Sequence, residues 1–272
     1  MTPARTTRSA AAVTIATAVT VALAGLAPGA ARADGPPCPV NALDCLAVTR
    51  FSATAGATSD ALFVTSLALP VALELGRGVE DDTLRRGGAL AGAVGVTALA
   101  SLVAKYAVRR DRPYTYNRDP GVVAFATRAR GNDHSFFSGH TSLAFAALTS
   151  AALLYDRDDG VRPGLWAAAG ALGAATGMMR IRAGQHFPTD VIVGAAVGTG
   201  AGIGVGYLLA PEPHLDGRDL AAFGGGIALG ALAAALAPIP SDTRLPLGLH
   251  GVSVAPTLAP GRFGLTLAAR LR

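Results

Sequence analysis

Apolar residues fall into six runs separated by short polar loops, at roughly Asp60–Leu75, Gly88–Ala104, Ser138–Tyr155, Gly164–Met179, Val191–Ala210 and Leu220–Ile239. Each run is long enough for a helix, and several approach the ~20 residues needed to cross a bilayer. Gly92, Gly95, Gly194, Gly198, Gly202 and Gly206 interrupt them. Glycine weakens a helix in water, whereas in a membrane small residues spaced four apart let helix backbones approach closely. Gly194, Gly198, Gly202 and Gly206 form one such stripe. The pattern predicts an all-α protein, a bundle of about six helices that is expected to be transmembrane. Because some runs fall short of a full span, a soluble Ala-rich bundle of buried helices is the other reading.

The two ends differ from this core. Arg5 and Arg8 precede an uncharged apolar stretch, Ala10 to Ala27, and Ala31-Arg32-Ala33 has the small-x-small form of a cleavage site. Residues 1–33 therefore read as a signal peptide, with an uncleaved first membrane helix as the alternative. Residues 34–59 are then an extracytoplasmic N-terminal segment, 60–239 the helical core and 240–272 a tail. In the tail, Val252, Val254, Thr257 and Leu258 precede Pro260-Gly261, and Phe263, Leu265 and Leu267 follow it, which suggests two short strands and a turn. Cys38 and Cys45, the only cysteines, stand just past the cut, where export would let them close a small loop.

Composition sharpens the choice of class. Of 272 residues 51% are hydrophobic and only 15% charged, against about a quarter charged in a typical soluble domain. The mean hydropathy is +0.41. A net charge of +5 suits an anionic partner, but no basic helix with interleaved aromatics is present, so nucleic acid is not expected. An alternating topology puts the loops Gly76–Gly87, Asp156–Pro163 and Pro211–Asp219 on one face, and Tyr106–Phe137 with Ile181–Thr189 on the other. The second set carries the candidate chemistry and more arginine. If the chain starts outside, this runs against the usual positive-inside bias, so orientation rests on the leader alone.

Three segments concentrate the polar residues: Lys105-x6-Arg112-Pro113, Ser138-Gly139-His140, and Arg180-x5-His186-x3-Asp190. On a continuous helix, Lys105 and Arg112 lie two turns apart and share a face, with Pro113 ending the helix. Ser138 suits an N-cap and Gly139 allows a ligand close to the backbone. The free N–H groups there form an anion site, and His140 faces it. Pro188 suits the first position of the next helix. His186 then just precedes that helix, and Asp190 falls in its first turn, placed to accept the Nδ1 proton and leave Nε2 free. Each segment alone is compatible with a solvated helix end or an ordinary cap. Together they gather three cations, two histidines and a carboxylate at one end of the bundle, a demand that a bound phosphoryl group would satisfy. The cysteines are not in a metal-ligand spacing, and no metal or other cofactor is expected.

In order and spacing, these segments resemble the signature of type 2 phosphatidic acid phosphatases. That superfamily includes bacterial non-specific acid phosphatases and vanadium-dependent haloperoxidases. The resemblance covers about Gly88 to Ala210. It implies a metal-independent phosphoric ester hydrolase with His186 as nucleophile, Asp190 as its orienting partner and His140 as general acid. Lys105, Arg112, Arg180, Ser138 and Gly139 would hold the phosphoryl oxygens. The chain departs from the pattern at Phe137, where the family usually has Pro, and at Met179, where it usually has Ser. His134, Ser135 and Arg182 lie near the motifs without an assigned role. The expected substrate is a phosphorylated lipid or polyprenyl pyrophosphate, met at the extracytoplasmic face of the cell membrane. The alternative is a soluble periplasmic or secreted phosphatase acting on small organic phosphates. A vanadate-dependent haloperoxidase is a further alternative, although the chain beyond residue 33 is short for one.

Overall fold

A computed structural model of the chain describes residues 40–78, 80–156, 160–210 and 214–239, together with the backbone of residues 250–259 and 262–270. The expected signal peptide and Cys38 lie outside the described residues. Cys45 is disulfide-bonded.

Among the described residues there are seven α-helices, α1 (Ala53–Arg77), α2 (Thr83–Val108), α3 (Pro120–Ala126), α4 (Gly139–Leu154), α5 (Val161–Arg182), α6 (Pro188–Leu209) and α7 (Gly217–Leu236). Six of them grow out of the six apolar runs. The seventh, α3, lies inside the long loop after Lys105. Asp119 caps it through its carboxylate, which accepts from Gly121 N and Val122 N, and Pro120 opens it. The final described elements are two antiparallel strands, β1 (His250–Ala259) and β2 (Arg262–Arg270).

Polar caps carry several helices beyond their apolar runs. Ser52 accepts from Ala55 N and starts α1 seven residues before Asp60. Asp216 and Asp219 form a reciprocal capping box that opens α7. At its other end α2 stops at Val108, with Arg109 in the left-handed region at φ 47°. The helix thus breaks before Arg112, and Lys105 and Arg112 do not share a helical face as the sequence spacing suggests. Arg112 lies in extended backbone at the start of a 3-10 turn, Pro113–Tyr116.

The helices alternate in direction, and α4 stands at the centre against α1, α2, α5 and α6. Nearly all of α4 is buried. Its hydroxyls turn back onto its own carbonyls, Ser142 to Gly139, Thr149 to Phe145 and Ser150 to Ala147, so a polar side chain inside the bundle keeps a partner. The glycine stripe is the α6 face of the contact with α4. A Cβ on Gly194 would come 2.7 Å from the Ser138 carbonyl oxygen, and one on Gly198 would overlap the Ser142 carbonyl. Gly170 on α5 and Gly226 with Gly230 on α7 form a second close backbone contact.

Among the described residues, four helices, those beginning at Ala53, Thr83, Pro188 and Gly217, are long and apolar enough to cross a membrane. In the most apolar stretch of the first three only 22% of residues are buried inside the protein. Leu75, Leu84, Leu99, Leu208 and Leu236 stand exposed on these four helices. Such a surface is consistent with a membrane protein.

Candidate active site

The motif residues collect at one end of the bundle. Lys105 is in the last turn of α2, Gly139 and His140 open α4, Arg180 is in the last turn of α5, and Asp190 is in the first turn of α6. His186 precedes α6 by two residues. Gly184 makes that turn possible: its φ is +68°, and a side chain there would strike the Arg50 carbonyl. The Gly184 carbonyl accepts from Tyr114 N at 3.0 Å, tying the loop after α2 to the loop before α6.

The three cations converge. Lys105 Nζ lies 3.0 Å from the point where a Gly139 Cβ would stand. Arg112 and Arg180 both repel the Lys105 charge and both act on His186, while Arg180 and Lys105 act on His140. The two histidines therefore share one electrostatic neighbourhood. Arg112 is fixed by donation from Nε to the Gly131 carbonyl (3.0 Å) and from Nη1 to Gln185 Oε1 (2.8 Å). Arg180 Nη1 donates to Ser59 Oγ and Asp60 Oδ1, each at 3.2 Å. Its Nε is buried without a protein partner, a donor that a bound anion would satisfy.

His186 is 1% exposed. Burial, with the charges of Arg112 and Arg180, holds its pKa well below the usual imidazole value against the opposing pull of Asp190. Its Nδ1 lies 3.8 Å from Asp190 Oδ2, an ion-pair separation beyond hydrogen-bond reach. The Asp190 carboxylate is instead held by Ser135 Oγ (2.6 Å) and Phe187 N (2.9 Å) at Oδ2, and by Arg110 Nη1 (2.7 Å) at Oδ1. His140 packs on the Phe63 ring at 4.6 Å, and its Nε2 is 3.1 Å from Asp60 Oδ1.

Ser138 is the N-cap residue of α4 but makes no capping bond with its side chain. Its Oγ pairs with Thr141 Oγ1 at 2.8 Å, and its N–H donates to the Asp190 carbonyl at 3.0 Å.

Sequence reasoning missed Asp60, which meets both His140 and Arg180. A lone carboxylate opening an apolar span was the available signal. Ser135, left without a role, holds Asp190. Arg182, also unassigned, donates to the last carbonyls of α7 at Ala234 and Ala235, a favourable place for a cation. The two departures from the family pattern are packing residues: Phe137 is buried edge-on to Phe136, and Met179 joins a core cluster with Phe187. Among the described residues, no group of three or more His, Cys, Asp or Glu is arranged to hold a metal ion.

Residues 86–211 match the model of the PAP2 superfamily. That segment holds α4, α5, α6 and every motif side chain, and the match supports the resemblance of this part of the chain to the type 2 phosphatidic acid phosphatases. The match suggests chemistry of the phosphatase or haloperoxidase type. No curated protein and no solved structure matches the chain.

Proposed function

We propose that the protein is a metal-independent phosphatase that cleaves phosphate monoesters or pyrophosphates through a phosphohistidine at His186. Lipid-linked phosphates entering from the outer leaflet are its preferred substrates. The observation that carries this reading is that Lys105, Arg112 and Arg180 stand at one end of the bundle, where Arg112 and Arg180 act on Lys105 and His186, and Arg180 and Lys105 act on His140. Three cations that repel one another in a buried site are costly, and a phosphoryl group removes that cost.

His186 Nε2 attacks phosphorus in line. The nitrogen–phosphorus bond forms, the bond to the leaving oxygen breaks, and His140 supplies that oxygen with a proton. A water molecule then attacks the phosphohistidine, loses its proton to His140, and releases phosphate as the nitrogen–phosphorus bond breaks. General acid–base help contributes only ~10²–10⁴-fold, while phosphate monoester hydrolysis needs accelerations up to ~10²¹-fold. The remainder falls to the covalent step and to the cations aimed at the equatorial oxygens. Asp60, within reach of both His140 and Arg180, fixes the acid relative to one of those cations.

His186→Ala should abolish turnover of a lipid phosphate and the radiolabelled phosphoenzyme trapped by acid quench. Near-normal turnover in that variant would refute the assignment.

A further inference from the structure

Asp44 lies outside the family-matched segment, yet its carboxylate is fully buried beside the motif residues. It sits in a 3-10 turn, Asp44–Ala47, next to the disulfide-bonded Cys45. Its Oδ2 accepts from Arg110 Nη2 (2.6 Å), Asn41 Nδ2 (2.6 Å) and Thr189 Oγ1 (2.8 Å). Its Oδ1 accepts from Thr189 N at 3.0 Å. Asp44 therefore grips the first turn of α6 and Arg110 together.

Arg110 connects this turn to the catalytic pair. Its other arm, Nη1, donates to Asp190 Oδ1 at 2.7 Å, and its guanidinium lies 4.2 Å over the Phe187 ring, adjacent to His186. Its carbonyl receives the N–H of Ser135, whose hydroxyl holds the other Asp190 oxygen. Charge counting gives Asp44 a second task. Arg110 alone would neutralise Asp190 and leave His186 with no net anion behind it. With Asp44 on the far side of Arg110, the group of three carries one net negative charge, which favours the cationic imidazole formed on phosphorylation.

We propose that Asp44 is a positioning residue for the catalytic histidine, acting through Arg110 and Asp190. It thereby makes the segment ahead of the helical core part of the active site. This rests on His186 being the nucleophile.

The test uses full-length protein in detergent. Asp44→Asn keeps the shape and removes the charge. It should lower kcat by roughly tenfold or more with KM little changed, the scale on which loss of a partner behind a functional imidazole is felt. In an Arg110→Gln background, Asp44→Asn should cost no more than about twofold further, because the two act in series. Histidine-selective ¹⁵N spectra, with His186 assigned by its loss in His186→Ala, supply a readout independent of turnover. The His186 signals should shift in Asp44→Asn, because the net charge behind the imidazole changes. Unchanged His186 signals would overturn the proposal, as would fully additive losses in the double variant. A merely structural Asp44 would lower the melting temperature and leave those signals alone. If the wild-type protein hydrolyses no phosphoester, the phosphatase reading fails, and the spectra still decide the role of Asp44.

Discussion

As the proposed nucleophile, His186 would have to be neutral to attack phosphorus, and its surroundings favour that form. Burial is the largest influence, Arg112 and Arg180 act in the same direction, and Asp190 opposes them. A histidine pKa lowered this way keeps the free base as the pH falls, so protonation of the nucleophile begins only well below the usual ~6.5. The acid limb of kcat/KM for hydrolysis of a lipid phosphate should therefore lie well on the acid side of that value. Asp190→Asn, which removes the opposing anion, should move the limb to still lower pH while reducing kcat. A limb at or above neutral pH would show that His186 is not in this environment. The residues of the three motifs were legible in the sequence because their types and spacing travel together. Asp60, Arg110 and Asp44 were not, since their partners lie far along the chain. Asp60 is 120 residues from Arg180, and Asp44 is 145 from Thr189. Only the folded bundle puts those pairs side by side. The His186–Asp190 pair was legible as a neighbourhood but not as a bond. Sequence spacing puts Asp190 one turn into α6, and three other donors then decide where its carboxylate points.

Helix α6 can lie on α4 only because its inward face lacks side chains. The four-residue spacing of Gly194, Gly198, Gly202 and Gly206 predicts this contact, whereas Gly200 and Gly204 between them face open space. Gly198→Ala should destabilise the protein by about 1–3 kcal/mol, as overpacking does, because its new methyl group meets the Ser142 carbonyl. Gly200→Ala should leave stability unchanged or raise it slightly through better helix propensity. Thermal unfolding in detergent checks both, and equal effects at the two positions would contradict the packing. The six long helices were legible because apolar runs report burial in protein or lipid. Their ends were less so, since capping turns are polar and resemble loop in a hydrophobic pattern. Ser52 adds about two turns that way and Asp216 about one. Asp119-Pro120 carried a start signal for α3, which the absence of a long apolar run concealed. The break of α2 at Arg109 could not be read from Pro113, because the chain leaves the helix four residues before the proline.

At the scale of the molecule, chemistry and apolar surface are segregated. The motif side chains occupy one end of the bundle. At the other, Arg162 grips Asp219 through two bonds of 3.0 and 2.7 Å and donates to the carbonyls of Tyr155 and His214. A cavity of about 150 Å³ also lies at that far end, bordered by Val71, Leu75, Leu90 and Tyr155, at the opposite end from His140 and His186. Between the ends, α4 is enclosed while α1, α2, α6 and α7 present leucine and valine outward. Water would meet that surface at a cost of roughly 25 cal/mol per Å² of apolar area, and lipid would not. Under the proposed function, a site at the end of such a bundle would lie at the level of headgroups, where a lipid phosphate would reach the cations while its tails stay in the bilayer. The full-length protein should therefore enter the detergent phase on cloud-point separation and carry its phosphatase activity with it. Its kcat/KM should be higher for a lipid phosphate in mixed micelles than for p-nitrophenyl phosphate. Active protein in the aqueous phase, with no preference between those substrates, would instead establish a soluble acid phosphatase whose exposed leucines are covered by protein.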